Sequence, residues 1–360
     1  MTQTAGAKGA NPKGGAGKPA WRVLLRKARA GLYAPADNNS VAALRDELQA
    51  FRNSGENGSK RPEIRAMQTL ADWHLSGEIK TTYRNLNEAR VQIWEYEYFC
   101  PVFAFQKAFL EQVVRDYPNA PGPSQFNQVC AYIGTPVDDA RDDRSKDVVV
   151  FRRPGATRTV LGVSGQKGVI SGMGWTMFDR AVTQKLNANL IILRDANHLF
   201  CLNGIKSLGT LDETIAGLRD LLTEFQDTRI IATGGSAGVL GALYLSCELG
   251  IDHVIASSGP TSLDIGVDEG DRQRYLVLKE MAAKGKVPYP DLAAKVAASG
   301  IRRVDFFVAG QHEFDMRQMR NLADRTDVVT PHIYEDEANH SIIARTILDG
   351  SFTKAVTQDV

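Results

Sequence analysis

TRIIATGGSAGVLG, residues 228–241, joins a strand to a helix through a serine. The first half is apolar and β-branched, the composition of a buried strand, and the second half opens a helix-forming run. Between them stands Gly234-Gly235-Ser236-Ala237-Gly238, a Gly-x-Ser-x-Gly sequence. A serine presented on so sharp a turn needs small residues two positions before and two after it, because larger side chains would strike neighbouring backbone. Gly234 and Gly238 meet that need. The N–H of Ala237, at the head of the following helix, is placed to donate to a developing oxyanion where the helix dipole favours negative charge.

A serine hydroxyl is a weak nucleophile and requires a base, itself oriented by a carboxylate. On a sheet carrying such a turn the expected chain order is serine, acid, histidine, each near the C-terminal end of a strand. His312, His332 and His340 lie well beyond Ser236. His332 falls inside a strand pattern and reads as structural. His340 sits in the loop EDEANHSII (335–343) before a closing apolar helix, and is the expected base. The acid is expected after the strand that ends at Ala309–Gly310, where GQHEFDMR (310–317) offers Asp315 and Glu313. Asp315 is preferred because an acid set back in the loop reaches across to the histidine. Glu313 is the alternative, and Asp264, after the preceding strand, a third option. The second oxyanion donor is expected from the loop SGQKG (164–168), through the N–H of Gly165 or Gln166.

Outward from this centre, short β-branched runs alternate with helical stretches: VVVF (148–151), RTVLGV (158–163), NLIILRD (189–195), HVIASS (253–258), VDFFVAG (304–310) and VVTPHIY (328–334). That alternation predicts an α/β fold, a mostly parallel sheet with helices on both faces. The connection at 152–157 is too short for a crossover helix, so the first two runs are expected to form an antiparallel hairpin at the sheet edge. RDANHLFCLNG (194–204) follows a strand, and Arg194 and His198 are candidate substrate-binding residues at the pocket rim.

The chain before this is different. Residues 1–20, mostly Gly, Ala, Lys and Pro, read as a disordered tail. Residues 21–130 read as a helical N-terminal region, and 131–360 as the α/β domain. Val41, Leu44, Leu48 and Phe51 fall on one helical face. A further helical stretch over 86–114 carries Trp94, Tyr96, Tyr98, Phe99, Phe103 and Phe105, an aromatic stripe expected to dock on the domain that follows or to pack helix to helix. NAPGPSQ (119–125) reads as a linker, and DDARDDR (138–144) as a solvated charge run.

Lys+Arg number 43 against Asp+Glu 42, a formal net charge of +1, which lacks the basic excess of nucleic-acid and membrane-surface proteins. Four separated cysteines without a CxxC pair argue against a disulfide framework or a structural zinc site, and no metal or cofactor is expected. Glycines 234, 238 and 241 do not follow the dinucleotide-binding spacing, and no GxxxxGK[ST] phosphate loop occurs. No apolar run spans a bilayer and no apolar leader is evident, so a cytoplasmic protein is expected.

By elbow sequence, element order and serine–acid–histidine order, residues 147–351 resemble the α/β-hydrolase superfamily. The resemblance implies a Ser236–His340–Asp315 triad, an oxyanion hole from Ala237 and the loop after Val163, and a lid-like insert over 259–300. The expected function is a serine hydrolase cleaving a small-molecule carboxylic ester or thioester through an acyl-enzyme. An acyltransferase using the same triad, or a non-catalytic interaction protein on this scaffold, is the alternative.

Overall fold

The computed structural model describes residues 19–56, 58–80, 83–136, 146–165, 168–170, 172–269, 272–288 and 291–359. The expected tail up to residue 18 and the charge run at 138–144 lie outside them. The chain divides into two compact units, Met1–Thr82 and Tyr83–Val360. This boundary comes well before the expected one at 130/131.

In the first unit, α1 (Ala20–Leu32), α2 (Asn38–Asn53) and α3 (Pro62–Ser76) pack around Leu25, Leu32, Leu48, Ile64 and Leu70. Asp37 caps α2 by accepting the Ser40 N–H at 2.7 Å. Val41, Leu44 and Leu48 are buried, as their spacing predicts, while Phe51 is half-buried.

The second unit opens with α4 (Leu86–Phe99), α5 (Phe103–Asp116) and α6 (Pro121–Ile133). The single helical stretch expected over 86–114 is broken at Pro101, which cannot continue a helix. The expected linker at 119–125 is instead the start of α6, because a proline is well suited to a helix's first turn. Of the aromatic stripe, Tyr96 stacks edge-on against Phe105 and Phe109, at 5.1 and 4.5 Å between centroids. Phe103 lies 5.2 Å from the guanidinium of Arg180, which also donates to the Pro101 carbonyl (2.9 Å) and Gln106 Oε1 (3.2 Å). The side chains of Trp94 and Tyr98 lie outside the described residues.

The α/β part follows as β1 (Val148–Phe151), β2 (Arg158–Val163), α7 (Trp175–Phe178) with a π-helical turn at Asp179–Thr183, β3 (Asn189–Leu193), α8 (Leu211–Thr223), β4 (Arg229–Gly235), α9 (Gly238–Leu249) and β5 (His253–Ser257). Then come α10 (Leu263–Glu269), α11 (Arg272–Ala283), α12 (Leu292–Ala297), β6 (Arg303–Ala309), α13 (Glu313–Ala323), β7 (Val329–Tyr334), α14 (Ile343–Leu348) and α15 (Ser351–Thr357). The seven strands lie in the order β1-β3-β2-β4-β5-β6-β7, all parallel except β1. Central strands are buried on both faces, and so is α9 from Gly238 to Ser246, as a helix apolar all round must be.

The expected β1–β2 hairpin is corrected. β1 is an antiparallel edge strand, but its partner is β3, with Val148 opposite Leu193 and Phe151 opposite Leu190. Residues 152–157 therefore cross two strand spacings, about 10 Å, over the start of β3. Arg153 pins that crossing: its N–H donates to Asn189 Oδ1 (2.7 Å), and its guanidinium to the Ala188 carbonyl and both Asp179 oxygens (2.8 Å each).

At the opposite end of the strands from the elbow, buried Asp305 on β6 accepts from His253 Nε2 (2.8 Å), His332 Nε2 (2.7 Å) and Arg303 Nε (2.7 Å). His332 also stacks on Phe307, at 4.3 Å. Burial alone would push the Asp305 carboxyl up, but the His253, His332 and Arg303 hydrogen bonds outweigh it and hold the carboxyl well below its ordinary range. A depressed carboxyl stabilises the fold above its unfolded pKa, near ~3.9, and that contribution is lost as pH falls below it. Asp305→Asn is therefore expected to cost about 3–5 kcal/mol at neutral pH. Denaturant titrations of both proteins should show that gap steady down to about pH 5 and shrinking below about pH 4. A gap that does not change with pH would contradict the assignment.

Candidate active site

Ser236 stands between β4 and α9 with φ +51°, in the left-handed region. For a non-glycine residue this costs of order 1–3 kcal/mol, offset by surrounding structure. The surroundings fix the neighbours. A Cβ on Gly234 would lie 2.3 Å from the Gly238 carbonyl oxygen, and one on Gly238 2.2 Å from that of Val163. Backbone hydrogen bonds hold the turn: the Ser236 N–H donates to Ser257 O (2.9 Å), and Ser236 O accepts from Val239 N (3.0 Å).

The structure brings Ser236, His340 and Asp315 into one hydrogen-bonded chain. His340 Nε2 lies 2.9 Å from Ser236 Oγ, and His340 Nδ1 lies 2.7 Å from Asp315 Oδ2. His340 belongs to the loop between β7 and α14. Glu337 shapes that loop by accepting the N–H groups of Ala338 and Asn339, and Asn339 accepts the N–H of Ser341. Asp315 is fully buried in the first turn of α13. Burial pushes its carboxyl up, but the hydrogen bonds from His312 and His340 prevail and keep it below its ordinary value. Glu313, two residues earlier, is exposed, and Asp264 pairs with Lys279 at 3.1 Å. Neither is hydrogen-bonded to His340 among the described residues.

A second imidazole shares the acid. His312, the N-cap of α13, places Nδ1 2.9 Å from Asp315 Oδ2, with its ring centre 5.3 Å from that of His340. The hydrogen bond to Asp315 raises the His312 pKa above its ordinary value, against burial. His312, Asp315 and His340 offer ligand atoms within 4.8 Å of one another. Both imidazoles, however, already turn Nδ1 to the carboxylate. Sequence spacing marks His312 only as a residue at a strand's end. Its second role becomes visible once the helix turn sets it three residues before Asp315.

On the other side of Ser236, the Ala237 N–H makes no backbone hydrogen bond among the described residues. The expectation for Gly165 is corrected, since its N–H is spent on the Val169 carbonyl at 2.8 Å. Gln166 lies outside the described residues. Ser164 Oγ, which sequence reasoning did not single out, is 4% exposed and has no hydrogen-bond partner among the described residues. Ser164 lines a cavity of about 10 Å³ together with Ala237, Gly165, Asp195, His198 and Phe200. The signal available was a serine directly at the end of β2. His198 thus borders this small space, whereas the Arg194 guanidinium lies over Trp175 (5.3 Å) and donates to the Lys146 carbonyl (3.2 Å). Asp195 holds the loop by accepting the N–H groups of Asn197, Leu199 and Cys201.

An edge-reversed seven-stranded sheet with the serine turn after β4, the carboxylate after β6 and the histidine after β7 is the α/β-hydrolase fold, and this chain has it. No protein-family model and no curated protein matches the chain. Among solved structures, it is similar to a carboxylesterase of the thaumarchaeon Nitrososphaera gargenis: 14% identity over 59% of this chain and 95% of that one, TM-score 0.40. It is also similar to the capsule O-acetyltransferase of Neisseria meningitidis serogroup A (9%, 59% and 92%, TM-score 0.43). A third is an esterase of Pyrococcus furiosus (16%, 58% and 88%, TM-score 0.38). At such identities a shared architecture implies no shared chemistry. No helix among the described residues is long and apolar enough to cross a membrane.

Proposed function

We propose that the protein is a serine hydrolase that cleaves a carboxylic ester or thioester through an acyl-enzyme. The observation that carries this reading is the unbroken chain from Ser236 Oγ through His340 to Asp315. Ser236 Oγ attacks the acyl carbonyl while His340 Nε2 takes its proton. Asp315, buried and ionised, holds the imidazole in the required tautomer and stabilises its cation. The carbonyl oxygen becomes an oxyanion, received by the Ala237 N–H and the Ser164 hydroxyl. His340 then returns the proton to the leaving oxygen or sulfur as the tetrahedral intermediate collapses. Water, deprotonated by the same imidazole, attacks the acyl-Ser236 ester; His340 returns that proton to Ser236 Oγ as the second intermediate collapses and the acid leaves. The α10–α12 insert reaches this region through Tyr275, whose ring lies 5.4 Å from that of Phe200, a lining residue of the small cavity beside Ser164.

A fluorophosphonate probe is expected to label the protein once, on Ser236, as read by peptide mapping. A protein that takes no label would be a non-catalytic scaffold, and one that transfers the acyl group to an added alcohol faster than to water would be a transferase. Ser164→Ala is expected to lower kcat on p-nitrophenyl acetate by about 10²–10³, the usual effect of losing one oxyanion donor. An unchanged kcat would remove Ser164 from the oxyanion hole.

A further inference from the structure

We infer that α4 and α6, the helices preceding the sheet, build the leaving-group pocket, and that the substrate is an ester of an alcohol with an apolar body and an anionic group. The inference rests on the hydrolase reading above and adds the substrate class. The proton that His340 Nε2 takes from Ser236 must be handed to the departing oxygen, so the leaving group lies on the histidine side of the serine. The residues flanking His340 in the chain, Asn339 and Ser341, line a cavity of about 330 Å³. Its other walls include Arg90 and Ile93 from α4, Phe126 from α6 and Gly172. This volume falls in the range of small-molecule sites. A hydrogen bond from Gln125 Nε2 to Glu337 Oε2, at 3.3 Å, joins α6 to the loop that carries His340.

Around Ser164 and Ala237 the open space is about 10 Å³, roughly one water-sized probe, which suits the carbonyl oxygen alone. The roomy cavity beside His340 makes the alcohol the recognised half of the ester.

The chemistry of that half follows from the lining. Ile93 is buried and Phe126 half-buried, both apolar, and they suit a ring or a branched aliphatic body. Arg90 is exposed at the rim, and among the described residues no carboxylate pairs with it. An exposed guanidinium at the mouth of an apolar pocket suits a carboxylate carried by the alcohol.

Two comparisons test this, using the full chain. 3-Acetoxybenzoate or 4-acetoxybenzoate should exceed phenyl acetate by up to about fivefold, the scale of an exposed ion pair. That advantage should disappear in Arg90→Gln and at 1 M salt. Gly122→Phe fills the pocket without crowding the fold, because a Cβ at Gly122 has no atom within 4 Å. It should lower kcat/KM for naphthyl acetate at least tenfold more than for ethyl acetate. If Ser236 takes the fluorophosphonate label but the acetoxybenzoates have no advantage that Arg90→Gln removes, or Gly122→Phe affects both acetates alike, the pocket assignment is overturned and the hydrolase reading stands. If the label is absent, both are overturned.

Discussion

Ser236→Ala is expected to lower kcat on any accepted ester by about 10⁶-fold, as removal of the nucleophile does in comparable triads, and to abolish fluorophosphonate labelling. The reason is that the reacting oxygen is deleted while its surroundings are kept. His340 remains tied to Asp315 at 2.7 Å, and the turn remains held by Ser257 and Val239. The thermal midpoint should accordingly stay within a few degrees of the wild type. A variant that still turns over esters, or still takes the label, would place the nucleophile elsewhere.

Asp315→Asn is expected to lower kcat by about 10⁴. Asparagine keeps the shape of the group but not its charge, and it allows the imidazole to settle in the tautomer that cannot accept the Ser236 proton. Here the carboxylate also serves His312, so its loss frees two rings at once. Glu313→Gln, on an exposed residue outside the hydrogen-bonded chain, should change kcat by no more than a few-fold. Measured on one ester, the opposite ranking would transfer the acid's role to Glu313.

The parts of the site that sequence makes legible are those dictated by local sterics and chain order. Gly234 and Gly238 mark the elbow because a Cβ at either would strike backbone within a few residues or on the adjoining strand. Asp315 and His340 are found because loops after consecutive parallel strands open on the same side of a sheet. What escapes is set by pairings that no short window contains. β1 finds β3 rather than its sequence neighbour β2, through the anchoring of Arg153 on Asn189 and Asp179. Prolines at 121 and 123, read as a linker, instead start a helix. Gly165 carries the right freedom for an oxyanion donor but spends its N–H on Val169, while the neighbouring hydroxyl of Ser164 is the unspent group.

The hydrogen bond between Gln125 and Glu337 has a consequence for biosynthesis. The two residues are separated by 212 positions. At about 5–20 residues per second on the ribosome, α6 leaves the exit tunnel roughly 10–40 s before the loop it meets exists. α14, against which α6 also packs, emerges later still. Throughout that interval α6 already has α5 beside it but lacks the 335–342 loop and α14. α6 and His340 are joined only once residues 335–342 have been made, so a chain terminated before them would carry Ser236 without the histidine of the proposed triad.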